Sequence, residues 1–302
     1  MAAAERTALI ALASAASWGG GDFCGGMGAK TATPGLAGTI RFVMLAQAVS
    51  LVVLTAVLFA QHAAWPHGAP LFWALAAGMC GGLGLVTFYK ALSRGGMGVP
   101  AAISGLLAAA IPAAVSSVLE GVPGTLRLMG FAVAAVAIWL VAAGDSPESV
   151  GGVSAQARGT MALTLFSGAA FGLYFVGLKL ANPLGDLMPT AIARASGLAL
   201  LAVMLVALRL RGRRGNPADS GGSRNWLVGW PWALAVALLD TGGNILFVAA
   251  TRAGRLDVAS VLASLYPAVT ILLAAWQLHE RPTRRQVAGM ATAIAAVVMI
   301  TL

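Results

Sequence analysis

The sequence predicts an all-α integral membrane protein of ten transmembrane helices, arranged as two inverted five-helix repeats. Three observations carry that expectation. Only 10% of the 302 residues are charged and 59% are hydrophobic, whereas a soluble domain devotes about 25% of its residues to charge in order to face water. The apolar residues fall in runs near the ~20 residues that cross a bilayer as helix. The two halves of the chain also match each other under fixed shifts, with an odd number of runs in each.

Taken in order, the candidate spans run over approximately 7–29, 36–60, 70–92, 98–119, 127–143, 160–180, 187–208, 227–249, 258–278 and 286–302. The first follows Arg6 and looks like a secretory leader. Its apolar character continues through Gly28 and it has a partner in the second half, so it is read as a retained helix. Brief connections rich in turn formers separate most spans, among them Pro34-Gly35, Pro66-His67-Gly68 and Asn182-Pro183. Gly144–Gly159 is longer and polar, and it places a linker at 147–156 between a first repeat, 1–146, and a second, 157–302.

The match between halves is specific. A shift of 159 residues places Trp73-Ala74-Leu75-Ala76 on Trp232-Ala233-Leu234-Ala235 and pairs Gly84 with Gly243 and Phe88 with Phe247. A shift of 153 pairs Ser14 with Ser167, Trp18 with Phe171 and Arg41 with Arg194. An odd number of spans turns the second copy upside down. Inverted repeats are the architecture of secondary transporters, which bind substrate near the midplane between the halves.

The net charge of +9 does not indicate a nucleic-acid partner, because the basic residues sit in short loops between apolar runs rather than on one face. Lys30, Lys90, Arg94, Arg158, Arg209, Arg211, Arg213, Arg214, Arg224, Arg281, Arg284 and Arg285 fall on one side of the membrane. Arg6, Arg127, Lys179, Arg252 and Arg255 fall on the other. The positive-inside rule then places both termini outside the cytoplasm. Cys24 and Cys80 lie inside apolar runs, in no metal or redox spacing.

Leu265-Tyr266-Pro267, continuing through Trp276-Gln277-Leu278-His279-Glu280-Arg281 to Gln286 and Gly289, resembles the end of an EamA repeat of the drug/metabolite transporter superfamily. Its pattern is a mid-helix proline, a glutamate at the helix exit and a glycine opening the last helix. The first half carries a weaker copy in Glu120 and Gly130, with Ala108 where the shift places the proline and Pro112 four residues later. Arg41 and Arg194 also match the family habit. The resemblance implies five plus five helices and is nearest to amino-acid and metabolite exporters of the EamA/YddG type. It also implies cytoplasmic termini, opposite to the charge count, so orientation stays open.

Ionisable residues inside spans are costly in hydrocarbon and are functional candidates by default. Asp22, Arg41, Arg194 and Asp240 are such residues, and Asn244 lies one helical turn from Asp240. The competing reading is that Asp22–Arg41 or Asp240–Arg194 are structural ion pairs, or that the arginines snorkel to an interface. Trp18, Tyr89, Phe171, Tyr174, Tyr266 and Trp276 are candidate pocket walls, while Trp65, Trp226, Trp230 and Trp232 flank spans as interfacial anchors. Pro112 and Pro267 fall inside helices, where each frees backbone carbonyls, and are candidate hinges.

His62, His67 and His279 lack metal-ligand spacing, and the glycine runs follow no strand, so neither an enzyme nor a cofactor or metal is expected. The expectation is a multi-pass transporter of the cell (inner) membrane, acting as a monomer and exporting small polar metabolites such as amino acids by alternating access. Its partners are then the small-molecule substrate and the lipid bilayer. Export of lipophilic cations or drugs is the second reading; an integral-membrane enzyme or scaffold is the third.

Overall fold

The computed structural model of the chain describes residues 3–31, 35–94, 98–142, 155–212, 229–277 and 283–301. The first half contains α1 (Ala3–Thr31), α2 (Leu36–Ala60), α3 (Ala69–Leu92), α4 (Gly98–Leu119) and α5 (Thr125–Ala142). The second contains α6 (Ala155–Leu180), a 3-10 turn at Asn182–Leu184, α7 (Met188–Gly212), α8 (Trp230–Ala253), α9 (Leu256–Ala263), α10 (Tyr266–Gln277) and α11 (Arg284–Thr301). No strand occurs among the described residues. Most of the expected linker 147–156 lies outside them, as do Arg213, Arg214, Arg224, Trp226, His279, Glu280 and Arg281.

Helix is the form that satisfies every backbone N–H and C=O within one segment, which hydrocarbon requires. Hydroxyls inside the helices follow the same demand: Ser50, Thr87 and Thr164 donate to the carbonyls of Ala46, Leu83 and Thr160, four residues back. Among the described residues, six stretches are long and apolar enough to cross a membrane: α2, α3, Arg158–Leu180, Met188–Leu210, α8 and Leu256–Gln277. Ile103–Leu119, Thr125–Leu140 and Val287–Ile300 are shorter apolar helices. The 29-residue α1 is not among the six, because Gly, Ser and Asp22 dilute its apolar residues. Large apolar side chains such as Val52, Phe72, Trp139 and Ile294 point outward and are more than half exposed. That surface suits lipid, and this is the architecture of a multi-pass membrane protein.

The ninth span differs from expectation. It is broken into α9 and α10 at Ser264-Leu265, and Pro267 lies in the first turn of α10 rather than inside a helix. Its missing N–H is harmless there, since first-turn N–H groups have no helical partner. Pro112 does lie inside α4.

Packing exchanges helices between the halves. α1 runs along α8, and α6 runs along α3; α1 also lies against α9 and α10, and α6 against α4. α2 meets α7, and α5 meets α11.

One end of the bundle is clasped by charge. Glu120 follows α4, and Gly121 turns the chain with φ 83°, a conformation that favours glycine. The Glu120 carboxylate pairs with Lys179 of α6 at 2.9 Å and accepts the Leu256 N–H of α9 at 2.9 Å. Lys179 Nζ also donates to the Thr251 and Gly254 carbonyls where α8 ends. Arg255 donates to the Glu120 and Gly121 carbonyls. Burial opposes ionisation of Glu120, but the Ser116 hydroxyl, Lys179 and the Leu256 N–H together hold its carboxyl below the ordinary value.

Candidate central binding cavity

A partly open cavity lies where α1, α3, α6, α7, α8 and α10 converge. It encloses about 40 Å³, room for no more than a few water molecules. From α1 it takes Trp18 and Asp22, which are one helical turn apart and share a face. Phe171, Tyr174 and Phe175 come from α6, Arg194 from α7, and Asp240 and Asn244 from α8. Tyr266 closes it from the first residue of α10.

The aromatic walls are set by glycines. A side chain on Gly243 would meet the Trp18 ring at 2.5 Å, and one on Gly84 would meet the Phe171 ring at 2.7 Å. These two contacts exchange under the repeat: Trp18 pairs with Phe171, and Gly243 with Gly84. Trp18 stacks on Phe175 with ring centres 4.8 Å apart, and Phe175 lies 4.6 Å from Phe247. Gly81 lets the Tyr174 ring approach α3.

Polar groups in the cavity are mostly satisfied by one another. Arg194 forms an ion pair with Asp240, their side chains only 6% and 16% exposed. The Tyr174 hydroxyl donates to Asn244 Oδ1 at 2.8 Å, and Asn244 Nδ2 donates to the Asp240 carbonyl at 2.6 Å. Asp22 is the exception. It is buried, lines the same cavity, and has no hydrogen bond or ion pair among the described residues.

Three residues expected at the cavity lie elsewhere. Arg41 is exposed on α2 and forms no part of the wall, so the Asp22–Arg41 pair does not form. The 159-residue shift supplies a reason: it pairs Asp240 with Gly81, so Arg41 has no matching carboxylate to hold it inside. Tyr89 is fully buried but lines a second chamber behind the Arg194–Asp240 pair, among α2, α3, α7 and α8. Trp276 is 75% exposed and lines neither space, and Trp65 and Trp230 are also exposed, as interfacial anchors would be.

Sequence reading missed Gln47, which lines that second chamber and is 3% exposed. Its amide nitrogen and oxygen, the Tyr89 hydroxyl and Arg194 Nε make no hydrogen bonds there. Each such buried orphan costs about 1–3 kcal/mol, and several in one chamber call for an explanation. The signal in the sequence is faint: a glutamine interrupts the apolar run of α2, but it carries no charge. Phe175 was also missed, being one more aromatic in an apolar span. Among the described residues no group of three or more His, Cys, Asp or Glu is placed to hold a metal ion.

The comparisons with known proteins agree with this architecture. A solved crystal structure matches the fold with a TM-score of 0.70 at 14% identity, covering 98% of each chain. No curated protein matches the chain. Residues 158–302, the half that contains Tyr266, Pro267 and Gly289, match the EamA-like transporter family. Residues 158–302, just under half of the chain, therefore form an EamA-like transporter domain, which supports the resemblance to the EamA type of the drug/metabolite transporter superfamily.

Proposed function

We propose that the protein is a secondary transporter that exports small polar metabolites bearing an amine, amino acids first among them, by alternating access across the cell (inner) membrane. The observation that carries this reading is Asp22, an unpartnered carboxylate in a cavity where the charge of Arg194 is already matched by Asp240. A cavity with one carboxylate in excess favours a cargo that brings a cation, because an unpaired charge in hydrocarbon is costly. Ten spans in two inverted repeats supply the frame, supported by the exchange of Trp18–Gly243 with Phe171–Gly84 and by the exchanged packing of α1 on α8 and α6 on α3. The cavity then lies between the halves, where such transporters bind substrate. With no nucleotide-binding motif in the sequence, the driving force is a gradient.

Export of lipophilic cations is the second reading, and the aromatic walls favour it. Trp18, Phe171, Tyr174, Phe175 and Tyr266 offer ring faces to a cation, a contact that strengthens when desolvated. The two readings separate in proteoliposomes. Saturable counterflow of labelled amino acids, with lipophilic cations failing to compete, supports the first. Counterflow of tetraphenylphosphonium with no amino-acid exchange replaces it by the second, and counterflow of neither removes both.

A further inference from the structure

The chamber behind the Arg194–Asp240 pair holds more unsatisfied polarity than any static role explains. Gln47 from α2, Tyr89 from α3 and Arg194 from α7 line it together, and all three are at least nine-tenths buried. The Gln47 amide nitrogen and oxygen, the Tyr89 hydroxyl and Arg194 Nε lack hydrogen bonds. The chamber leaves no space for a water molecule, so solvent does not satisfy them. Asp240 lines it too, on the partition it forms with Arg194.

Two of these groups are held in place. The Tyr89 ring fits against Gly25 of α1, where a side chain would collide with it at 2.2 Å, and it packs with Phe42 and Phe88. Gln47 lies against Gly197 of α7, whose missing side chain leaves room for its amide oxygen. Among the described residues that line the chamber, Arg194 is the one long, flexible cation. Its guanidinium is a donor that matches the acceptors Gln47 Oε1 and the Tyr89 hydroxyl oxygen.

We infer that Gln47 and Tyr89 form a second seat for the Arg194 guanidinium, occupied when Arg194 releases Asp240. Both are positioning residues: they hold Arg194, and through it decide whether Asp240 is paired or free. Movement into the seat, for which α2 and α7 must part because the chamber is closed in this state, gives the acceptors Gln47 Oε1 and the Tyr89 oxygen a donor and opens the Asp240 carboxylate to the central cavity beside Asp22. A cationic cargo held at Asp22 repels Arg194 and drives it toward the seat, so cargo and arginine exchange places at Asp240. This use of the seat rests on the proposed transport of amine-bearing cargo. The existence of the seat does not.

The test is therefore independent of any substrate. Asp240→Asn removes the partner of Arg194 and lowers the melting temperature of the detergent-solubilised protein, on the order of 5 °C. If the seat exists, adding Gln47→Glu gives Arg194 a carboxylate within it, and the Asp240→Asn/Gln47→Glu variant recovers most of the loss. Adding Tyr89→Phe instead lowers the melting temperature further, because the seat loses its hydroxyl. Where Asp240→Asn alone does not fold, recovery of folded protein in the double variant is the same positive result. A double variant that melts at or below Asp240→Asn, or fails to fold as well, overturns the seat. It would mean that Arg194 had turned to Asp22 or stayed in place, leaving the carboxylate introduced by Gln47→Glu as an unpaired buried charge. Failure of the transport reading would leave this result unchanged.

Discussion

Lys179 Nζ lies 2.9 Å from the Glu120 carboxylate, joining the last turn of α6 to the residue that follows α4. The same carboxylate accepts the Leu256 N–H that opens α9. One glutamate therefore holds the ends of three helices; α4 contains Pro112, and α9 is parted from α10 at Ser264-Leu265, just before Pro267. Releasing this clasp is the simplest way to separate the helix ends there.

Because the Glu120 carboxyl is held below its ordinary value of 4.5, its contribution is full above that value and is lost as pH falls through the lowered one. The protein is expected to lose stability as pH falls below about 4.5. Glu120→Gln should flatten that part of the profile while costing about 1–3 kcal/mol at neutral pH, since the side chain is only partly exposed and bonds a cation. Thermal melts of the two proteins across pH check this. Parallel profiles would show that other carboxylates set the acid limit.

Tyr174 and Asn244 form a buried hydrogen bond of 2.8 Å across α6 and α8. Tyr174→Phe and Asn244→Ala should each destabilise by about 1–3 kcal/mol by leaving the other group unpaired. The double variant should cost less than the sum, because the orphan created by one change is removed by the other. Additive losses in thermal or denaturant melts would mean that the two groups do not depend on each other.

Gly243→Ala should destabilise by about 1–3 kcal/mol through overpacking, as its methyl would meet the Trp18 ring at 2.5 Å. That ring is held by Phe175 and Phe247 and has little room to yield. The equivalent change Gly84→Ala meets Phe171 at 2.7 Å and should behave alike. Adding Trp18→Phe to Gly243→Ala should recover part of the lost melting temperature. No recovery would place the strain elsewhere.

The helices were legible because apolar runs near bilayer length leave few other forms, and glycines such as Gly35 and Gly68 mark where α2 and α3 begin. The break at Ser264-Leu265 was not, since the apolar run passes through it unbroken and Pro267 suits a first turn as well as a kink. At the site, charge inside a span pointed to Asp22, Arg194 and Asp240, and all three line the cavity. The same rule gave Arg41 equal standing with Arg194. What separates them is a partner on another helix, Asp240 against Gly81, which only the packing of two elements decides. Gln47 shows the converse case: uncharged, it leaves a weak trace in sequence, yet burial without a partner makes it costly.

The central claim is that Asp22 supplies the charge that receives a cationic group of the cargo. Counterflow of labelled amino acids and tetraphenylphosphonium, measured in proteoliposomes with wild type and Asp22→Asn at equal incorporation and melting temperature, tests it most directly. The account predicts that Asp22→Asn weakens apparent affinity at least about tenfold, or 1.4 kcal/mol, for whichever cation-bearing cargo the wild type exchanges. Unchanged counterflow in a folded Asp22→Asn protein would contradict it.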